Sequence, residues 1–155
     1  AIRGHGAGLK VCILQFLKGS KSACGEYRAI NELKNGIVFK RFDVTHPMFT
    51  KGGNAASDRV RQDMQAALSE TKVMINQGNY DIIVLDEILN AAAQGFVKED
   101  DLLDLIRAKA GGTELVLTGR GATQKVVEAA DYVTEMLEIK HPYACGIKAR
   151  KGIEF

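Results

Sequence analysis

The sequence predicts an α/β domain, built as a mostly parallel central sheet with helices on both of its faces. Three observations lead there. Short apolar runs rich in β-branched residues recur along the chain, longer amphipathic segments separate them, and a length of 155 residues suits one domain around a single core. Strands buried on both faces read as nearly continuous apolar runs, whereas the helices laid against them carry one apolar stripe each.

The first strand is expected at residues 10–16, and Gly4-His5-Gly6-Ala7-Gly8 comes just before it. A phosphate cradle must follow a strand and open a helix, so these glycines read as the turn into the strand, with His5 a surface turn residue. A second strand is expected at residues 37–42. Residues 42–56 contain Pro47, Gly52 and Gly53 with little periodicity, and a loop of that length in a compact domain is often functional. Residues 57–77 carry Val60, Met64, Ala67, Leu68, Val73 and Ile75 mainly at three- and four-residue spacings, which predicts a helix. The third strand is expected at residues 81–85 and delivers Asp86 and Glu87 to its tip. A second covering helix, residues 98–109, places Leu102, Leu103, Leu105 and Ile106 on the sheet. Strands at residues 114–117 and 132–137 complete the series.

Composition narrows the function classes. The 21 Lys and Arg stand against 19 Asp and Glu, a formal charge of +2, which offers no electrostatic footprint for nucleic acid or an anionic membrane. Cys12, Cys24 and Cys145 are odd in number and lack metal-ligand spacing, so neither a disulfide framework nor a zinc site is expected, and the natural setting is a reducing cytoplasm. The apolar stretch 11–17 is interrupted by Gln15, is too short to span a bilayer and lacks the layout of a secretory signal. No membrane role is expected.

Ligands of an open parallel sheet sit beyond the carboxyl ends of its strands. The expected ends carry Gln15-Phe16-Leu17-Lys18-Gly19, the loop after Phe42, Asp86-Glu87, and Thr118-Gly119-Arg120-Gly121. Magnesium prefers hard oxygen ligands and keeps several waters, so adjacent carboxylates at a strand tip suit a magnesium–nucleotide site. The competing reading makes Asp86 the cap of a helical segment at residues 87–94. Gly119 and Gly121 let backbone N–H groups approach a ligand closely, and Arg120 supplies a planar charged fork for phosphate or carboxylate; the same residues also suit a plain tight turn. Lys18 either neutralises a phosphate or is one solvated lysine among many.

Several of these stretches together match a family. Gly4-His5-Gly6, Val11-Cys12-Ile13-Leu14-Gln15-Phe16-Leu17-Lys18-Gly19, Val84-Leu85-Asp86-Glu87, Leu117-Thr118-Gly119-Arg120-Gly121 and Ala129-Ala130-Asp131 resemble the ATP:corrinoid adenosyltransferases related to bacterial cobalamin biosynthesis and salvage. The closing Lys140-His141-Pro142-Tyr143 and the run from Gly146 to Phe155 resemble that family's C-terminal end. No one motif is decisive; their order and spacing are.

The resemblance implies a P-loop NTPase (RecA-like) fold, a homodimer, and transfer of the 5′-deoxyadenosyl group of ATP to the reduced cobalt of a corrinoid, with release of triphosphate. It implies Mg2+ as cofactor and a flavoprotein as the source of electrons. By the same resemblance Glu87 is the catalytic metal ligand, with Asp86 its direct or water-mediated partner. Lys18, Thr118, Gly119, Arg120 and Gly121 contact ATP or its triphosphate, and Phe49 contacts the corrinoid. Reduced cobalt is itself a strong nucleophile, so the protein's share of the chemistry is alignment and neutralisation of the leaving group.

Two departures from the family stand out. The family opens with a strand, a glycine-rich loop with Gly-Lys-Thr chemistry and a helix, whereas Ala1-Ile2-Arg3 resembles only the tail of that helix. Deleting an interior strand would leave neighbouring edges unpaired, so an upstream segment of the natural protein is expected. Where family members place Gly-Phe-Thr-Trp, this chain has Met48-Phe49-Thr50-Lys51 and no Trp anywhere, which leaves Phe49 to supply the apolar contact. The alternative from another class is a non-catalytic corrinoid- or nucleotide-binding module that has lost its phosphate loop.

Overall fold

The computed structural model describes residues 1–18, 25–33, 36–42, 44 and 53–153, with residues 53–57 described by backbone alone. The elements run α1 (Ile2–Gly6), β1 (Val11–Gln15), α2 (Gly25–Glu32), β2 (Ile37–Arg41), α3 (Gly53–Gln77), β3 (Ile82–Asp86), α4 (Ile88–Ala93), α5 (Glu99–Arg107), β4 (Glu114–Leu117) and α6 (Gln124–Ala129). A short 3-10 helix, Pro142–Cys145, follows.

The four strands form one parallel sheet in the order β2-β1-β3-β4. Successive side chains alternate between its faces. Cys12, Leu14, Ile83 and Leu85 point to one face and join a single buried cluster with Val60, Met64, Leu68 and Ile75 of α3 and Leu102 and Leu105 of α5. Ile13, Phe39 and Val84 are in register on the other face. There the ring of Tyr27 from α2 meets Phe39 edge-on at 5.6 Å, while α1 brings Gly4 against Ile82 and Val11. Helices thus lie on both faces, as the alternating pattern predicts.

The apolar stripe of α3 is Val60, Met64, Ala67, Leu68 and Ile75, with Thr71 completing it by donating its hydroxyl to the Ala67 carbonyl at 2.7 Å. Val73, expected on that stripe, is 54% exposed because it falls on the outer side of the helix. Leu102 is 1% exposed at the centre of the α5 contact. Leu102→Ala should destabilise the domain by about 2–5 kcal/mol, read from urea unfolding, because the helix and sheet close a cavity only partly.

Two other expectations are corrected. His5 is a half-buried residue of α1, not a surface turn residue, because its ring occupies the space that Gly36 leaves free of a side chain. Residues 132–137 run without a ladder, although their composition reads as a strand. Among the described residues they have no neighbouring strand to supply hydrogen bonds, and Tyr132, Met136 and Leu137 are largely exposed.

Among the described residues no helix is long and apolar enough to cross a membrane. Cys12 is buried and Cys145 exposed, both as free thiols. Burial pushes the Cys12 thiol up to about 11, against a smaller opposing pull from Lys40, so it is a core residue rather than a nucleophile.

Candidate functional site

Three parallel strands end side by side, and their last residues meet. Gln15 and Asp86 are register partners at the ends of β1 and β3, which puts their side chains on one face of the sheet. The Gln15 Nε2 amide donates to Asp86 Oδ2 at 2.9 Å, and the Thr118 hydroxyl, just past β4, donates to Asp86 Oδ1 at 2.9 Å. The two bonds join residues 71 and 32 positions apart in the chain. Backbone bonds stitch the same strand ends, from Phe16 N–H to the Asp86 carbonyl at 3.0 Å and from Thr118 N–H to the Leu85 carbonyl at 3.1 Å.

Asp86 therefore does not cap the following helix. Glu87 is the N-cap residue of α4 and makes no side-chain capping bond there. Its backbone is left-handed, φ 63° and ψ 16°, a conformation that costs a residue with a Cβ free energy unless its surroundings hold it. Thr118 holds it, because its Oγ1 accepts the Glu87 N–H at 3.0 Å while its own proton goes to Asp86. Among the described residues Leu17, just past β1, is the other non-glycine residue with positive φ, at 56°. Both strained residues sit at the carboxyl ends of adjacent strands.

Asn90 carries the arrangement onward. It lies one turn into α4, donates from Nδ2 to Glu87 Oε2 at 3.3 Å, and accepts the Arg120 backbone N–H on Oδ1 at 2.6 Å. That approach requires Gly119, whose φ is 132° and where an added Cβ would lie 2.9 Å from the Asn90 amide nitrogen. At Gly121, φ 80°, an added Cβ would lie equally close to the Ala93 methyl. The glycines here serve helix-to-turn contact, which is how Gly-Arg-Gly comes to sit against α4.

The result is an open cleft of about 340 Å³ lined by Glu87, Asn90, Ala93, Gln94 and Arg120, with a carboxylate and a guanidinium on the same rim. Hard oxygen from Glu87 suits Mg2+, and an exposed fork at Arg120 suits a phosphate. Among the described residues no cluster of three or more His, Cys, Asp or Glu comes together.

The structure thus brings together Asp86, Glu87, Thr118, Gly119, Arg120 and Gly121 from the sequence expectation. Lys18 follows β1, and its ammonium pairs with Glu26 of α2 at 3.5 Å. Phe49 lies outside the described residues. Gln15 and Asn90 had no assigned role. A signal for Gln15 was present, since it is the one polar residue interrupting the run from Val11 to Leu17. Asn90 stands three residues after Glu87, a spacing that places helix side chains together.

A family model described as ATP:corrinoid adenosyltransferase BtuR/CobO/CobP matches residues 1–155. The chain is 34% identical over 158 residues to a corrinoid adenosyltransferase of Pseudomonas aeruginosa, an alignment covering 99% of this chain and 73% of that one. It is 33% identical to a corrinoid adenosyltransferase of a Sinorhizobium species, over 96% of this chain and 68% of that one. A corrinoid adenosyltransferase of Escherichia coli K12 is 26% identical, over 100% of this chain and 76% of its own length.

Proposed function

The chain belongs to the ATP:corrinoid adenosyltransferase family, and from that premise we propose that its protein transfers the 5′-deoxyadenosyl group of ATP to the reduced cobalt of a cobalamin precursor or salvaged cobalamin. The electron pair of cobalt forms the bond to the ribose 5′ carbon as the carbon–oxygen bond breaks, and the oxygen leaves with its electrons as triphosphate. The observation that carries the reading is the cleft at the strand ends, where Glu87 and Arg120 share a rim and Asn90 bridges them.

In this reading Glu87 holds Mg2+, with Asp86 behind it. When bound, the ion supplies Lewis-acid neutralisation of the leaving triphosphate. Arg120, with the Thr118-Gly119-Arg120-Gly121 turn, takes a phosphate group of ATP, and Lys18 adds positive charge at the neighbouring strand end. Phe49, outside the described residues, is assigned the apolar contact to the corrinoid on family resemblance alone. The remaining work is orientation, which alone accounts for much of the barrier in a displacement between two bound reactants.

A further strand alongside β4 belongs to the same proposal, together with a phosphate-holding loop that it would carry. Among the described residues β4 is an edge strand, and Val116 is 42% exposed. A groove of about 380 Å³ separates it from the unladdered segment, bordered by Leu115, Val116, Val126, Tyr132 and Val133. One added strand would pair β4 and give residues 132–137 a partner they do not have among the described residues. A homodimer, a flavoprotein reductant and a cytoplasmic location complete the proposal.

The test is incubation of the purified full-length protein with chemically reduced corrinoid and Mg-ATP, followed by the absorbance change of adenosylation and by phosphate analysis. Adenosylated product with triphosphate supports the reading; ATP binding without product identifies a non-catalytic module. Arg120→Ala should weaken ATP binding about 10- to 100-fold in titration calorimetry, as expected for one lost charge-assisted contact. Unchanged nucleotide affinity would remove Arg120 from the site.

A further inference from the structure

Gln15 is an anomaly in the core. Among the described residues three polar side chains are buried, and two of them, Thr71 and Thr113, are satisfied by nearby carbonyls of Ala67 and Tyr80. Gln15, 1% exposed, instead spends its amide on Asp86, and its Oε1 is buried with no hydrogen-bond partner among the described residues. An unpaired buried carbonyl is destabilising, and an apolar side chain of similar length at the end of β1 would avoid it. A group retained at a cost to stability, and aimed at a strand-end carboxylate, has its reason in the site.

The chain of bonds has a fixed direction. Gln15 donates to Asp86 Oδ2, the Thr118 hydroxyl donates to Asp86 Oδ1, and the same hydroxyl accepts the Glu87 N–H. With its proton committed to Asp86, Thr118 presents only lone pairs to Glu87. Both oxygens of Asp86 already hold a protein donor, whereas Glu87 borders the cleft.

We propose that Gln15 is a positioning residue which, through Asp86 and Thr118, holds Glu87 in the left-handed backbone conformation that presents its carboxylate to the cleft. Asp86 is then the anchor of this clamp and Glu87 the direct cation ligand. The inference rests on the reading of Glu87 as a cation ligand. It adds Gln15 of β1 to the site and gives Thr118 a second role, each acting on the cation without touching it. Partners one shell behind a ligand tune metal affinity or activity by about 10- to 100-fold.

The test uses the full-length protein, Mn2+·ATP as the calorimetric probe, and thermal unfolding of each variant without ligand. Gln15→Met should leave the unfolding temperature unchanged or higher, since it removes the unpaired carbonyl, yet weaken Mn2+·ATP binding about 10- to 100-fold. A merely structural glutamine would lower the unfolding temperature and leave affinity intact, and that pattern overturns the proposal. Asp86→Asn provides the second arm. The Gln15 amide can turn over so that Oε1 accepts from the new carboxamide, which keeps the clamp, so affinity should fall only a few-fold. A loss of about 100-fold or more in that variant would mean that Asp86 is itself a ligand. Glu87→Gln separates the two levels: if it binds Mn2+·ATP normally the functional reading fails, and if it alone loses binding while Gln15→Met does not, only this inference fails.

Discussion

Glu87→Gln should reduce adenosyl transfer by about 100- to 1,000-fold in kcat, or roughly 3–4 kcal/mol of lost transition-state stabilisation, the scale at which one electrostatic contact to a developing charge acts. The substitution removes a charge and little else. Glutamine has the same shape, adopts the left-handed backbone no less readily, and its carbonyl can still accept from Asn90, whose Nδ2 lies 3.3 Å from Glu87 Oε2. Unfolding temperature should therefore be unchanged. ATP affinity measured without divalent cation should also be unchanged, which locates the defect in the cation and not in the nucleotide pocket. Turnover close to that of the parent protein would remove Glu87 from the chemistry.

Gly119→Ala should be the most damaging single-carbon change in the site. At φ 132° any L side chain is strained, and the new methyl would lie 2.9 Å from the Asn90 amide nitrogen and 2.9 Å from Leu89 Cβ. Backbone strain and overpacking together should cost about 2–4 kcal/mol, or roughly 4–16 °C in unfolding temperature for a domain of this size. The damage reaches function because the displaced residue is Asn90, which bonds Glu87 on one side and the Arg120 backbone on the other. Turnover at a temperature where the variant is folded should fall at least about ten-fold, with nucleotide affinity and cation dependence both altered. Gly112→Ala is the control, since a Cβ there meets nothing within 4 Å. Equal stability of the two variants, read by thermal unfolding, would contradict the close packing of the turn against α4.

Where the chain's elements lie was largely legible before any coordinates. The four strands of the sheet and the two long covering helices follow from local alternation of apolar and polar residues, which depends on neighbours only a few positions away. The placement of Asp86, Glu87, Thr118 and Arg120 at strand ends follows from the same pattern, because a parallel sheet aligns its carboxyl ends. Spacing alone left Asp86-Glu87 open between a cation site and a helix cap, and only the family resemblance favoured the first.

Local pattern fails where a segment's state depends on what lies beside it. Residues 132–137 have strand-like composition, but a strand exists only as one side of a ladder, and among the described residues no ladder reaches them. His5 looked like a surface turn until Gly36, thirty-one positions on, opened a place for its ring. The same dependence on distant partners separates Asp86 from Glu87. In sequence they are adjacent carboxylates that spacing alone does not tell apart, and only the family resemblance puts Glu87 first. Only the tertiary structure, by bringing Gln15 and Thr118 onto the two oxygens of Asp86 and turning Glu87 out through a left-handed backbone, gives the pair distinct surroundings. Sequence periodicity determined which residues reach the strand ends, because it is set by neighbours along the chain; hydrogen bonds across 71 and 32 positions decided what each of them touches there.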